Sequence, residues 1–554
     1  MRNVVGNSFH NGQAPVGRLS YFFILRKEDR MKPLSTMLAV VCLLTMVSAA
    51  VFAQAVGDYR STGNGNWNTA TTWERWNGSA WAVTGTPPNG SEHITIQVGD
   101  TVTVDVAVTI SDTLKNQGAI EDSTNLTIAD GGVFQHDQDA GTLPLATWES
   151  GSTLLITGTV GVAPDDRNQN FHHIEFNTPG MLANLHMALD SVTIGGDIRV
   201  VNTGAARWYI TSALAGDTNT VWIMGDIIME NGQFSSNGTS NGCHIQVYHY
   251  GNILVTGGNF SVSRGSQGSG SGSTRWYLYG DSFSMSNATT QNSNLANAWF
   301  IFAKQGVQTL TLGEGNTLSS FPIVVDSGTT LDMGVSKLRG SGRFELNAGS
   351  GLATGEQGGL DSAVVVTSGE ISVAYFDTLA QYIFNGTAGN QVTGTTLPTS
   401  VHTVVAENPD TVILSQETTI FGPLILRAGI FDNTIEFDLG GTGWILFQGG
   451  ELRFGVPVAV ERAETVPVEF FVDQNYPNPF NPSTTIIYGL PEQGFVTAKV
   501  YNLLGQEVAT LFEGVQVAGI HELVFDASRL TSGIYLYRIQ ANGVHTVRQM
   551  VLLK

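Results

Sequence analysis

The sequence predicts an all-β chain: a right-handed parallel β-helix solenoid followed by a small C-terminal β-sandwich. Three observations carry that prediction. Apolar and polar residues alternate with period two over hundreds of positions. A glycine-centred unit recurs. A proline-rich break then opens a last run of short strands. Glycine supplies 65 of the 554 residues, while charged residues are only 13% and apolar ones 42%. Disordered chains are poorer in apolar residues, and coiled coils are richer in Lys, Glu and Leu.

The first element is a leader over residues 1–53. Met31-Lys32 precedes the apolar run Leu38–Leu44, and small residues lead to Ala53. A basic start, a short apolar stretch and a small-residue end describe a secretory signal peptide, with Met31 as the start and the cut between Ala53 and Gln54. The apolar run is too short to span a bilayer. Cys42 leaves with the leader, so Cys243 is the one cysteine of the mature chain, which excludes an intramolecular disulfide and reads as a buried small hydrophobe. The whole chain carries −21, and the mature part keeps 20 basic and 45 acidic side chains, a balance of −25. No clustered Lys and Arg offer a phosphate-binding surface, so nucleic acid is excluded as a partner.

Residues 54–93 form the second element, rich in Trp, Gly and Asn, with Trp67, Trp73, Trp76 and Trp81 placed to cap a solenoid. An uncovered coil end would expose backbone and apolar surface. Indole faces also stack on sugar rings, so the same four tryptophans are candidate glycan contacts.

Residues 94–455 are the predicted β-helix. Ile94, Ile96, Val98, Val102, Val104, Val106, Val108 and Ile110 alternate with polar residues, the signature of strands with one buried face. VWIMGDIIME (221–230), ILVTGGNFSV (253–262) and WYLYGDSFSM (276–285) share a central glycine, at Gly225, Gly257 and Gly280. SVTIGGDIRV (191–200) is a looser copy, and Arg-Trp-Tyr occurs at both 207–209 and 275–277. Recurrence at a few tens of residues points to coils that bury their apolar faces only against each other. At roughly 23–30 residues per coil, this length holds about twelve to fifteen coils. A string of β-sandwiches is the alternative, but no Pro-rich linker interrupts the region.

A polar linker at 456–467 leads to the last element, residues 468–554. Asn475-Tyr476-Pro477-Asn478-Pro479-Phe480-Asn481-Pro482 cannot be helical. Seven short strands follow in under ninety residues, which predicts a small β-sandwich. NYPNPFNPST, VYNLLGQEV with Gly505, the Leu530–Tyr535 stretch with Gly533 and Tyr535, and the closing VLLK resemble, block by block, the type A C-terminal sorting domain of type IX secretion substrates. The resemblance implies Sec export to the periplasm, recognition by the type IX outer-membrane machinery, and delivery to the cell surface or medium. More weakly, residues 54–140 resemble the opening of β-helical, adhesin-like surface proteins that often carry this tail.

Chemistry in the cargo is harder to find. Lyases and hydrolases on pectin-lyase-like β-helices need clustered acid and base groups, and this cargo is poor in charge. The strongest candidates are Asp165, Asp166 and Arg167 near His172 and His173, with His244 and His249 further along. His244 and His249 are five apart and should face opposite sides of one strand, and His172 and His173 should also diverge. Asp130, Asp137 and Asp139 could hold Ca²⁺ but lack the glycine-rich calcium nonapeptide; no other cofactor is expected. These residues point to a non-catalytic surface, adhesion or glycan-binding protein; a polysaccharide lyase or glycoside hydrolase is the alternative.

Overall fold

A computed structural model describes residues 54–212, 216–237, 242–264, 272–291, 297–313, 322–340, 342–365, 373–453 and 470–553. The expected leader up to Ala53 and the linker at 456–467 lie outside them.

Strand alternation builds a three-faced parallel β-helix. Its first face is continuous: from Ile94–Ile96 to Trp444–Phe447, sixteen strands stack in parallel, one per coil, among the described residues. Register aligns Ile94, Leu114, Phe134, Leu154, Ile174, Ile198, Ile227, Ile253, Phe283 and Leu310 into one inward column. Each is at most 2% exposed. Burying such a side chain contributes about 1.5–3 kcal/mol, so the column is the mechanical spine. The first coils advance only twenty residues, from Ile94 to Leu114 to Phe134, fewer than expected. Strands of three or four residues joined by corners of two to four residues suffice there. The middle coils lengthen, with twenty-nine residues between Ile198 and Ile227.

The glycine unit marks one corner of the middle coils, but its frame differs from the sequence alignment. Ile223 pairs with His249 and His249 with Leu278, so the equivalent glycines are Gly225, Gly251 and Gly280, and Gly257 belongs to a different corner. A Cβ on Gly225, Gly251 or Gly280 would come closer than 3.0 Å to backbone of the coil before it. Beside the glycines, polar side chains link coil to coil. His173 Nδ1 accepts the Asp197 amide (2.8 Å), and Asp197 Oδ1 accepts the Asp226 amide (2.8 Å). Asp226 Oδ1 then accepts the Asn252 amide (2.6 Å), and Asn252 Oδ1 accepts the Ser282 amide (2.9 Å). The Gly-Asp/Asn repeat is thus a corner where backbones approach closely and a side-chain oxygen pairs the next amide. The Arg-Trp-Tyr repetition has no such meaning. Arg207–Tyr209 lies on the second face and Arg275–Tyr277 on the third.

Tryptophans close the front. The strands Tyr59–Ser61, Trp73–Trp76 and Trp81–Val83 form an antiparallel ribbon, and Tyr59 pairs with Ile94 of the first coil. Trp67 and Trp73 pack edge to face at 5.0 Å. Their indole N–H groups donate to Pro88 O and Trp67 O, so both rings are buried without an unmet donor.

At the C-terminus, seven strands form two antiparallel sheets. One holds Phe471–Val472, Ser483–Leu490 and Gly519–Asp526; the other holds Glu507–Gln516, Gly494–Asn502, Gly533–Ala541 and Val544–Leu552. Both sheets contribute to one core, with Ile486, Tyr488 and Leu490 from the first and Val500, Tyr537 and Ile539 from the second.

Candidate functional site

The cap tryptophans divide into two kinds. Trp67 and Trp73 are 1% and 0% exposed, so they present no ring face to solvent and the expected sugar contact fails for them. Trp76 and Trp81 are partly exposed and pack on each other at 5.5 Å. The Arg60 guanidinium covers the Trp81 ring at 4.6 Å, tied in turn to Glu74 at 2.7 Å.

Among the acid–base candidates, Arg167 and the histidines are engaged with the chain itself, while the Asp165 carboxylate is exposed. Arg167 donates to the carbonyls of His186 and Pro164, and meets Asp165 only at 3.8 Å. His172 and His173 do not diverge: their rings meet edge to face at 4.4 Å, because His172 precedes the strand that begins at His173. Ser150 Oγ lies 3.2 Å from His172 Nε2. Burial lowers the His172 pKa, and the neighbouring His173 adds to that. Asp137 accepts from Lys115, Gln117 and Thr157, bonds that hold its carboxyl below the usual range against the opposing effect of burial. Asp139 Oδ1 accepts the three amides of Val160, Gly161 and Val162. Among the described residues, no three His, Cys, Asp or Glu side chains converge as a metal site. Cys243 is buried and accepts from Asn237 Nδ2 at 3.3 Å.

His244 and His249 do point to opposite sides of the strand His244–His249. His249 is fully buried, its Nε2 facing Gly225 O at 3.0 Å, and burial lowers its pKa to about 4. His244 faces outward, 3.0 Å from Ser273 Oγ.

The outward side of that third face holds a further constellation. Strands Thr218–Ile223, His244–His249, Ser273–Leu278 and Ala298–Phe302 lie side by side, and their inward residues fill the core. Period two therefore drives every other side chain outward, and register brings Trp222, Tyr248 and Tyr277 into one row. Trp222 and Tyr248 rings are 6.2 Å apart and 13° from parallel; Tyr248 and Tyr277 are 5.0 Å apart and 10° from parallel. Tyr250 and Tyr279 form a second row, 5.1 Å apart and 17° from parallel. At about 5 Å, parallel rings overlap like shingles. A third row places Arg275 between Gln246 and Trp299, its guanidinium 5.1 Å from the Trp299 ring centre. Tyr248 donates its hydroxyl to Gln246 Oε1 at 3.1 Å. Burial and then neighbouring phenols raise the pKa of Tyr248 and Tyr279, so both hydroxyls stay protonated. The result is an aromatic surface of three rows, carrying hydroxyl, amide and guanidinium groups between its rings. The signal in the sequence was the outward phase of the same alternation, W-I-M, Y-H-Y and Y-L-Y, which reads as core until the register assigns inside and outside.

In the C-terminal sheets, the sorting motif residues lock the segment before the first long strand. Asn475 is 2% exposed and donates Nδ2 to Thr484 Oγ1 (2.9 Å) and Pro477 O (3.1 Å). Its amide reaches the Tyr537 hydroxyl at 2.9 Å. Tyr476 pairs with Thr485, Asn478 Oδ1 accepts the Val551 amide, and Phe480 is buried and bridged to the last strand. Gly505 has φ +76° in the turn capped by Asn502, and Tyr535 donates to Thr531 O at 2.8 Å.

Residues 474–553 match the family described as "Secretion system C-terminal sorting domain". Neither a curated protein nor a solved structure matches the chain. The tail is a type IX sorting domain, and the protein travels by the type IX route to the cell surface or extracellular space. No helix among the described residues is long and apolar enough to cross a membrane.

Proposed function

We propose that the exported β-helix is a non-catalytic surface protein that binds polysaccharide through the aromatic rows of its third face. The observation that supports this is the outward set Trp222, Tyr248, Tyr277 and Trp299 with Tyr250 and Tyr279, set on rigid strands. Flat apolar strips match the C–H faces of sugar rings, and the interleaved Gln246, Arg275 and phenol hydroxyls can pair sugar hydroxyls. Rings held by coil-to-coil stacking lose little freedom on binding, which favours affinity.

Native gels cast with soluble polysaccharides test the reading on the full chain. Retardation should be lost in Tyr277→Ala and Trp222→Ala and kept in Asp165→Ala. Retardation that survives both aromatic substitutions would refute the face as the site. The enzyme reading has one observation in its favour. Glu175, raised by burial, shares Arg199 with Glu230 on the first face, at 3.3 and 2.6 Å. New reducing or unsaturated ends from a polysaccharide, abolished by Glu175→Gln, would establish that alternative.

A further inference from the structure

The charge around the aromatic face points to the class of glycan it takes. The chain has 47 Asp and Glu in 554 residues, so about four are expected in any fifty. Between Glu230 and Asp281 there is none. This acid-free run supplies two coils of the aromatic face and carries Arg264 and Arg275.

Arginines in this zone lack acidic partners. Arg207, on the strand Arg207–Tyr209 of the second face, is 3% exposed. Its Nη2 donates to Gln233 Oε1 (2.6 Å) and Asn259 Oδ1 (2.7 Å), two neutral oxygens on the next two coils, and its Nε is buried with no partner. Arg264 is also left with a buried, unpartnered Nε. Arg275 touches the Trp299 ring. None of the three forms an ion pair among the described residues, whereas Arg60, Arg199, Arg343, Arg427 and Arg453 all do. A guanidinium taken out of water without a counter-charge is costly, and an incoming anion would offset that cost. Arg264 acts on Arg207 through space as a like charge, which adds to the local positive field.

We infer that the ligand of this face is an acidic polysaccharide, whose carboxylate or sulfate groups pair with the partly exposed Arg275 and Arg264 while its sugar rings lie on the aromatic rows, the buried Arg207 adding only to the local positive field. This rests on the polysaccharide-binding reading above and adds the charge class to it. The strongly acidic remainder of the chain does not oppose it, because charges more than about 8 Å away are screened at physiological salt.

The test uses the full mature chain in native gels containing polygalacturonate, chondroitin sulfate or neutral xylan, at low and at physiological salt. Acidic polymers should retard the chain at least tenfold more strongly than xylan, with the effect shrinking as salt rises. Retention by polygalacturonate alone would assign a carboxylate, and retention by chondroitin sulfate as well would admit a sulfate. Arg264→Gln and Arg275→Gln, both on partly exposed side chains, should each weaken acidic binding about tenfold while leaving the thermal midpoint unchanged. Equal retention by xylan, or unchanged binding in Arg264→Gln and Arg275→Gln, would overturn the inference. If xylan alone binds and Tyr277→Ala abolishes that, the acidic class falls and the polysaccharide reading stands. No retention by any polymer overturns both.

Discussion

Replacing Gly280 by Ala isolates the closest backbone approach in the solenoid. Gly280 does not have a left-handed backbone, so the added methyl carries no conformational penalty of its own. Its Cβ would instead sit closer than 3.0 Å to the Gly251 carbonyl oxygen, which real Cβ atoms do not do. The coils must part at that corner. Two bonds flank it, from the Tyr279 amide to His249 O (2.8 Å) and from the Ser282 amide to Asn252 Oδ1 (2.9 Å). Losing both costs about 1–3 kcal/mol at roughly 1 ± 0.5 each. The overpacking adds about 1–3 kcal/mol, so the expected loss is about 2–6 kcal/mol. Solenoid stability is close to a sum of neighbour interactions, so the damage should be local. Hydrogen exchange should lose protection over residues 245–285, while the strands at 94–156 keep theirs. Gly180→Ala is the control: its Cβ would meet nothing within 4 Å, and the change should stay within about 0.5 kcal/mol. Wild-type exchange protection in Gly280→Ala would sink the close-approach account of the glycine repeat.

Three further outcomes are expected. Phe283→Ala empties a fully packed place in the inward column, against Phe260 and Phe300, and should cost about 3–5 kcal/mol, read as new protease cuts near residue 283. The folded-state pKa of His249, about 4, lies below the unfolded value of 6.5, so its contribution to stability is complete above pH 6.5. It erodes as pH falls from 6.5 toward 4, by up to about 3 kcal/mol. His249→Gln should flatten that part of the urea-stability profile against pH, and identical profiles would remove His249 as the cause. Asn475→Ala strips two side-chain bonds from the start of the sorting domain and should destabilise it by about 1–3 kcal/mol, seen as less surface protein on cell fractionation. Removing Val468–Lys554 altogether should leave the chain in the periplasm, and normal surface display of that truncation would contradict the sorting role.

Much of this architecture was legible in the residues. Alternation from Ile94 onward marks strands with one buried face, and the proline-rich Asn475–Pro482 run with Gly505, Gly533 and Tyr535 marks the tail. These are local properties: period two follows from the pleat, and a proline ring restricts its own φ and the residue before it. What lay beyond local reasoning was which coil meets which. Gly257 looked equivalent to Gly225 and Gly280 because the flanking letters agree, but only stacking shows that Gly251 occupies the corner.

The functional residues divide in the same way. The four cap tryptophans carry one composition, yet Trp67 and Trp73 fill the core while Trp76 and Trp81 reach the surface. Conversely, Trp222, Tyr248 and Tyr277 sit 26 and 29 residues apart in the chain and become neighbours only through the parallel register. By itself the sequence determined the strand-rich class, the glycine-cornered coils and the export tail, because each is written in a few adjacent residues. The tertiary structure decided which alternate residues face out and which arginines go without an acid. Those depend on side chains tens of residues apart meeting across a coil spacing of about 4.8 Å.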